Sequence, residues 1–151
     1  MTFSDSLTLS MMPGSPGRTR VLTADFVWET PWSVDIIVKA GYVTDGASIP
    51  RLFWRLIGGP LAGRYLPAAL VHDVLYDSEI VPRAIADRVF RAAMKELGVS
   101  SWRRNLMYAA VRLGGWRAWQ RHTPDSTLWA RQHVDIRPNA AVLEAHLEPR
   151  P

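Results

Sequence analysis

The stretch AALVHDVLYD, residues 68–77, places a histidine, a carboxylate and a phenol close together in the chain. In an α-helix, residues four apart share a face, so His72 and Tyr76 project together while Asp73 lies about a third of a turn away. Histidine titrates near neutral pH and can accept a proton from water, which makes His72 a candidate general base. Asp73 is then a candidate ligand for a hard cation such as Ca²⁺.

A second carboxylate can reach His72 from the next predicted helix. Pro67 and Pro82 each open a segment of helical character, and the short connection SEIV joins the two segments. An antiparallel arrangement with a rise of about 1.5 Å per residue brings His72 and Asp87 level with each other. The spacing therefore predicts that Asp87 accepts the imidazole proton and orients His72.

Two glycine-bearing stretches upstream are candidates for the rest of the site. TDGAS supplies a wall of the site through Asp45, Gly46 and Ser48, and IGGPLAG supplies Gly58 and Gly59. Glycine lets backbone groups approach a ligand closely, so Gly58 and Gly59 are candidates to help hold the cation. Asp-Gly is also typical of tight turns, which leaves a purely structural role for TDGAS as the alternative.

Structural roles stay open for the other candidates as well. His72 can be a hydrogen-bonded core histidine, Asp87 the partner of an arginine, and Tyr76 a core hydroxyl bonded to a carboxylate. The combination of an Asp-Gly loop, a His-Asp-x-x-Tyr helix and a level aspartate favours a site. The sequence contains no GxGxxG, phosphate-loop or GxSxG motif, which disfavours nucleotide binding and α/β-hydrolase chemistry.

Composition narrows the function classes further. The 151 residues are 48% hydrophobic and 21% charged, which is typical of one globular domain. The absence of cysteine excludes a disulfide scaffold and a thiolate metal site. No stretch approaches the roughly 20 apolar residues that span a bilayer, and the start of the chain does not resemble a signal peptide. The net charge of +4 comes from arginines scattered along the chain, a pattern that makes nucleic acid an unlikely partner.

The residue pattern predicts an α+β fold in a single domain, residues 1–122. Residues 18–44 favour strands, and the strand-like runs on either side of Thr30-Pro31 predict an antiparallel hairpin or a meander. From about 50 to 122, segments opened by proline and closed by glycine predict two or three helices.

Three smaller features complete the predicted organisation. Residues 1–17 are expected to form an irregular lead-in, and residues 123–151, which are interrupted by prolines, a C-terminal arm. Gly114-Gly115 predicts a kink, a break or a close helix crossing within the last helix.

The motifs occur in an order that resembles a known family. GYVTDGASIPRLFW, LPAALVHDVLYD and RAIADRVFRAAM together resemble a domain-of-unknown-function family, number 1353, of tailed bacteriophages and prophages. The resemblance covers about residues 20–115. It implies a phage or prophage protein, expected in the virion or the host cytoplasm, with other phage structural proteins as partners.

HDVLYD followed by AD is also similar to the His-Asp-x-x-Tyr helix of phospholipase A2, including the cysteine-free form in parvovirus capsids. This similarity implies that His72 is the general base, Asp73 the calcium ligand and Asp87 the carboxylate partner of the histidine. It also implies that Tyr76 supports this carboxylate partner. The calcium-binding glycine loop of that family is not reproduced, and Gly58-Gly59 is its nearest counterpart at a shorter spacing. The β-rich N-terminal part is also foreign to the simple phospholipase scaffold.

Three functions follow as hypotheses, and the residues leave the oligomeric state open. The first is a virion, tail-associated or accessory phage component that carries a phospholipase A2-like site. The second is a calcium-dependent lipid esterase that breaches a bacterial membrane, with membrane lipid as its partner. The third is a non-enzymatic protein that binds a host factor through its arginine-rich surface.

Overall fold

A computed structural model of the chain describes residues 2–3, 7–11, 19–44 and 65–148. Within these residues, strands dominate the first part and helices the second, which confirms the predicted α+β class. The strands are β1 Thr2–Phe3, β2 Leu9–Met11, β3 Arg20–Leu22, β4 Phe26–Glu29, β5 Asp35–Val38, β6 Val43–Thr44 and β7 Val134–Arg137. The helices are α1 Leu66–Ser78, α2 Arg83–Glu96, α3 Ser101–Gly114, α4 Trp116–Trp119, α5 Pro124–Arg131 and α6 Ala140–Leu147.

The larger sheet is built around the hairpin that the sequence predicts on either side of Thr30-Pro31. β4 and β5 pair antiparallel, with Trp28 opposite Ile36, and β1 and β7 extend the sheet in the order β1-β4-β5-β7. Ile36 in turn lies opposite Ile136 of β7. These three side chains are buried because alternate residues of a strand point to the same face, so one face of the sheet forms part of the core.

A smaller antiparallel sheet, in the order β2-β3-β6, brings the chain from the strands towards the helices. Arg20 of β3 lies opposite Thr44, the last residue of β6, whose side chain is buried. This register places the Thr44 hydroxyl against α1, where it reaches Asp73.

α1 is the central helix of the fold. Its residues from Ala68 to Tyr76 are buried on every side, as expected for a helix without a polar face. It contacts β5 and β7 of the larger sheet and also packs against α2 and α5. The helix ends at Glu79, which adopts a left-handed backbone conformation, and the chain then turns directly into α2.

α2 and α3 form the second helical layer, and α2 contacts both α1 and α3. α2 is amphipathic, with Val89, Phe90 and Ala93 among its buried residues. α3 ends at Gly114, and α4 starts at Trp116, so the predicted glycine feature is a break between helices.

The ends of the chain differ from the predicted lead-in and arm. In residues 1–17, β1 pairs with β4 and β2 pairs with β3. In residues 123–151, α5 packs against α1, and β7 is hydrogen-bonded to β5. Between residues 65 and 122 the structure has three long helices, α1, α2 and α3, which agrees with the predicted two or three, and the four-residue α4. α5 and α6 lie in the segment predicted as an arm, and they are too short to give a clear period in the sequence. The part of the predicted helical region that precedes residue 65 lies outside the described residues.

Candidate active site

The predicted contact between α1 and α2 is present. His72 and Asp87 face each other across the two helices, and His72 Nε2 lies 2.8 Å from Asp87 Oδ1, a hydrogen-bonding distance. Both side chains are buried, with 2% of His72 and none of Asp87 exposed. Because the carboxylate accepts a hydrogen from Nε2, the neutral ring carries its proton there and presents Nδ1 as the acceptor.

The second oxygen of Asp87 is bound from α3. Arg112 Nη1 donates to Asp87 Oδ2 at 2.8 Å, and Arg83 Nη1 lies 3.9 Å from the same oxygen. Burial opposes the charged form of Asp87, but the hydrogen bonds from His72 and Arg112 outweigh it and lower the pKa of this carboxyl. The pKa of Arg112 is raised by the same hydrogen bond. Asp87 therefore stays ionised inside the core and connects three helices.

Aromatic rings hold the imidazole in place. The ring of His72 lies between Tyr76 and Phe90, with centroid separations of 4.6 and 4.9 Å. The Tyr76 hydroxyl accepts a hydrogen bond from Arg83 Nη1 at 3.3 Å, so Tyr76 is linked to Asp87 through Arg83. Burial raises the pKa of Tyr76. The tyrosine is thus a neutral wall of the site at ordinary pH.

Asp73 lies on the other edge of the imidazole. Its Oδ1 is 3.9 Å from His72 Nδ1, and its Oδ2 accepts a hydrogen bond from Thr44 Oγ1 at 2.8 Å. Burial alone lowers the pKa of His72, but Asp73 and Asp87 together outweigh it, and the pKa of the imidazole is raised. Two carboxylates on opposite edges therefore favour the protonated ring.

The fit of a calcium ion depends on how many oxygen ligands surround Asp73. Ca²⁺ takes about six to eight oxygen ligands. Among the described residues, no group of three or more histidine, aspartate or glutamate side chains gathers to hold a metal. The other predicted ligands, Gly58 and Gly59, lie outside the described residues, as do the predicted wall residues Asp45, Gly46 and Ser48. Of the predicted calcium ligands, Asp73 is therefore the one that the described residues include.

In its neutral form, His72 has one nitrogen, Nε2, that donates to Asp87 and a second, Nδ1, that can accept a proton. Asp87 orients the ring and stabilises the imidazolium that forms when Nδ1 takes a proton. The hydrogen bond and the positive charge of Arg112 help to keep Asp87 ionised, so the proton stays on the ring. Such an arrangement is compatible with a general base and equally with a structural histidine.

Three further residues contribute to this network, and two of them have no signal in the local sequence. Arg112 follows Asp87 by 25 positions, and Thr44 precedes Asp73 by 29. Arg83 is nearer, and its i,i+4 spacing from Asp87 on α2 is the one pattern that predicts a contact. The other two are brought in by tertiary packing of β6 and α3.

A second histidine with carboxylate contacts lies beyond the end of α1. The nitrogens of His122 are 3.4 Å from Asp77 Oδ1 and 3.0 Å from Glu79 Oε1. The Tyr42 hydroxyl donates to the other oxygen of Asp77 at 2.7 Å. Through Tyr42 these contacts join the end of α1 to the residue before β6, and through His122 they join it to the segment before α5. No spacing in the sequence predicts them.

Comparison with known proteins places the chain in a family. A family described as a protein of unknown function, DUF1353, matches residues 20–111, and the chain belongs to that family. The match contains His72, Asp73 and Asp87, and it ends one residue before Arg112.

Two relatives come from Sinorhizobium fredii. The uncharacterized protein y4jT is 34% identical over 110 residues, which are 73% of this chain and 33% of the relative. The uncharacterized protein y4iH is 31% identical over 109 residues, which are 72% of this chain and 45% of the relative. The chain thus spans less than half the length of either relative. No solved structure matches it.

Proposed function

We propose that this chain is a hydrolase of the phospholipase A2 type, in which His72 is the general base and Asp87 its orienting partner. The observation that carries the proposal is the 2.8 Å contact between His72 Nε2 and Asp87 Oδ1, which leaves Nδ1 as the acceptor. Asp73 follows His72 directly in the chain and lies beside that second nitrogen. This order of groups is the one that the similarity to phospholipase A2 implies.

The reaction that suits these groups is ester hydrolysis. His72 Nδ1 removes a proton from water, and the water oxygen bonds to the acyl carbonyl carbon to give a tetrahedral intermediate. When the bond from that carbon to the alcohol oxygen breaks, the imidazolium returns the proton to the leaving alcohol. Asp87 stabilises the transient imidazolium and keeps the ring in one tautomer throughout.

The outer surface of α3 and α4 supports a lipid as the substrate. Trp102, Leu113 and Trp116 are exposed by 58%, 79% and 47%. Arg103 lies over the Trp102 ring, and Arg117 lies over the Trp116 ring. Exposed tryptophan and leucine beside arginine are typical of a protein face that adsorbs to a lipid surface. None of the helices in the described ranges combines the length and the apolar character needed to cross a membrane.

The other two hypotheses stay predictions of the sequence. A virion or accessory component is expected to copurify with phage particles at a fixed copy number. A host-factor binder is expected to retain one bacterial protein and to lose it when its arginines are replaced. Neither role conflicts with a hydrolytic site, since a phage component can carry one.

The test is fatty-acid release from phospholipid vesicles, measured with and without added calcium. We expect His72→Ala and the isosteric His72→Asn to lower the rate by about 100-fold or more, because each removes the base. His146→Ala is the matched control, since His146 is an exposed histidine on α6. We expect this control to retain the wild-type rate. A dependence on calcium would additionally assign the ion a part in the reaction.

Folded wild-type protein that releases no fatty acid under either condition would contradict the proposal. His72, Asp87 and Arg112 would then be a structural network that joins α1, α2 and α3. Circular dichroism and thermal unfolding of each variant separate a loss of chemistry from a loss of fold.

A further inference from the structure

A basic cleft lies between α2, α3 and the end of α6, with a volume of about 420 Å³. Its wall contains Arg88, Arg91 and Lys95 from α2 and Arg104 from α3. Arg88, Arg91 and Lys95 follow one another at i, i+3 and i+7 on α2, and the packing of α2 against α3 adds Arg104 to them. Tyr108, Ala92 and Leu147 complete the lining.

The charge in this cleft is not balanced by the described part of the chain. Among the described residues, no carboxylate lines the cleft. The ion pairs that arginines form with described carboxylates involve Arg83, Arg112 and Arg137, and none involves a cleft residue. Four like charges around one cavity repel each other, and an anion inside it removes that repulsion.

The guanidinium groups are held in place by neutral acceptors. Arg91 Nη2 and Nε donate to Asn105 Oδ1 at 2.9 and 3.3 Å. Arg104 donates to the Val99 carbonyl at 3.2 Å, and Arg88 donates to the Leu147 carbonyl. Since these bonds limit side-chain motion without removing charge, the cations are positioned before a ligand arrives.

The Tyr108 ring adds a flat surface to the cleft. The guanidinium carbon of Arg91 lies 5.4 Å from its ring centroid, a cation–π contact that further restrains the arginine.

The cleft is separate from the His–Asp site. Asp87 projects into the core towards His72 and Arg112, and it is fully buried. Arg88 is the next residue of α2, so its side chain turns about 100° away from Asp87 around the helix. The exposed side of α2 therefore carries the cleft, while its buried side carries the histidine partner.

We propose that this cleft binds a phosphate-bearing anion. Arginine donates in pairs to phosphate oxygens, and three arginines with one lysine suit a ligand of more than one negative charge. The cavity has the size of an ordinary small-molecule site, which is large enough for a phosphorylated metabolite or a phospholipid headgroup. The proposal does not depend on hydrolysis at His72.

The first arm of the test uses calorimetric titration with inorganic pyrophosphate at low salt. The test variant is Arg91→Gln with Lys95→Gln, and the matched control is Arg121→Gln with Lys39→Gln. All four residues are exposed, and both double variants lose the same charge. We expect the wild type to bind, the test variant to bind about tenfold more weakly or worse, and the control to bind within about twofold of the wild type.

The second arm distinguishes a free phosphate from a lipid headgroup. Vesicles of phosphatidylcholine, with and without phosphatidylglycerol, are sedimented with each protein. Pyrophosphate binding that is lost only in the test variant supports a soluble ligand. Retention on the anionic vesicles alone, lost only in the test variant, supports a headgroup. The proposal is overturned if the wild type binds neither probe, or if both double variants lose binding equally, because the effect then follows net charge.

Discussion

At the scale of single residues, the proton on His72 depends on two carboxylates at opposite edges of its ring. Asp87 Oδ1 is 2.8 Å from Nε2, and Asp73 Oδ1 is 3.9 Å from Nδ1. Both raise the pKa of His72 against the opposing effect of burial. A general base with a raised pKa is a stronger proton acceptor, but it is available only at higher pH.

We predict that the pKa of His72, followed by NMR of its ring proton, lies above the ordinary value of about 6.5. Asp73→Asn and Asp87→Asn should each lower it, because each removes a negative charge beside the ring. His146→Ala should leave it unchanged. An unaltered pKa in both asparagine variants would contradict this account of the network.

The same shift has a consequence for stability, and its sign follows from linkage. Since the folded-state pKa of His72 lies above the unfolded value, the charged ring stabilises the fold below about pH 6.5. That contribution is lost as the pH rises through the folded-state pKa. Urea unfolding across this range should therefore show a decline for the wild type that is absent from His72→Asn.

At the scale of elements, the break between α3 and α4 is a packing requirement of the site. A Cβ atom on Gly115 would lie 2.2 Å from the Tyr76 hydroxyl and 2.5 Å from the Val111 carbonyl. Such distances are far below van der Waals contact, so only glycine lets α4 start this close to α1. The sequence predicts a break or a close crossing at this place, and the structure has both.

We predict that Gly115→Ala destabilises the protein by about 1 to 3 kcal/mol, the range typical of overpacking in a core. In the Gly115→Ala background, Tyr76→Phe should cost less than it does in the wild type, because removal of the hydroxyl relieves part of the clash. Urea unfolding of the two single variants and the double variant measures this coupling. If the changes in the free energy of unfolding are strictly additive, the side chain at position 115 and the Tyr76 hydroxyl are not in contact.

Elements with strong local patterns were predictable from the sequence. The β4–β5 hairpin follows from alternation around Thr30-Pro31, and α1 and α2 follow from their opening prolines. The level placement of His72 and Asp87 follows from helical rise, because a short connection forces the helices to run antiparallel. Their contact also requires that the phases of the two helices agree, which the sequence does not fix.

Short elements that depend on distant partners were not predictable. β1 and β7 have two and four residues, and each is stabilised by strands far away in the chain. α5 and α6 do carry capping signals, since Thr123 caps α5 with Ser126 and Asn139 caps α6. These caps are the one local sign that the C-terminal segment is folded.

At the scale of the whole molecule, the C-terminal segment adds the edge strand β7 to the larger sheet, and α1 contacts this sheet. β7 pairs with β5, so residues about a hundred positions apart in the numbering lie side by side, with Val134 opposite Val38. Leu143 of α6 is fully buried in the same core as α1 and α2. Residues 134–147 therefore belong to the same core as α1 and α2, and we expect unfolding to be a single cooperative transition.

Ile136 on β7 provides the direct test of that integration. Its side chain is 6% exposed and packs in the core, whereas Arg137, the next residue, points to solvent. We predict that Ile136→Ala lowers the free energy of unfolding by about 2 to 4 kcal/mol through loss of buried apolar contacts and a residual cavity. Arg137→Ala, the matched control on the same strand, should change the free energy of unfolding by about 0.5 kcal/mol or less.

Tryptophan fluorescence and the His72 ring resonance should report the same unfolding midpoint in Ile136→Ala, since the sheet and α1 unfold together. If Ile136→Ala lowers the free energy of unfolding only as little as the control does, residues 123–151 are an arm that adds little to the stability of the core.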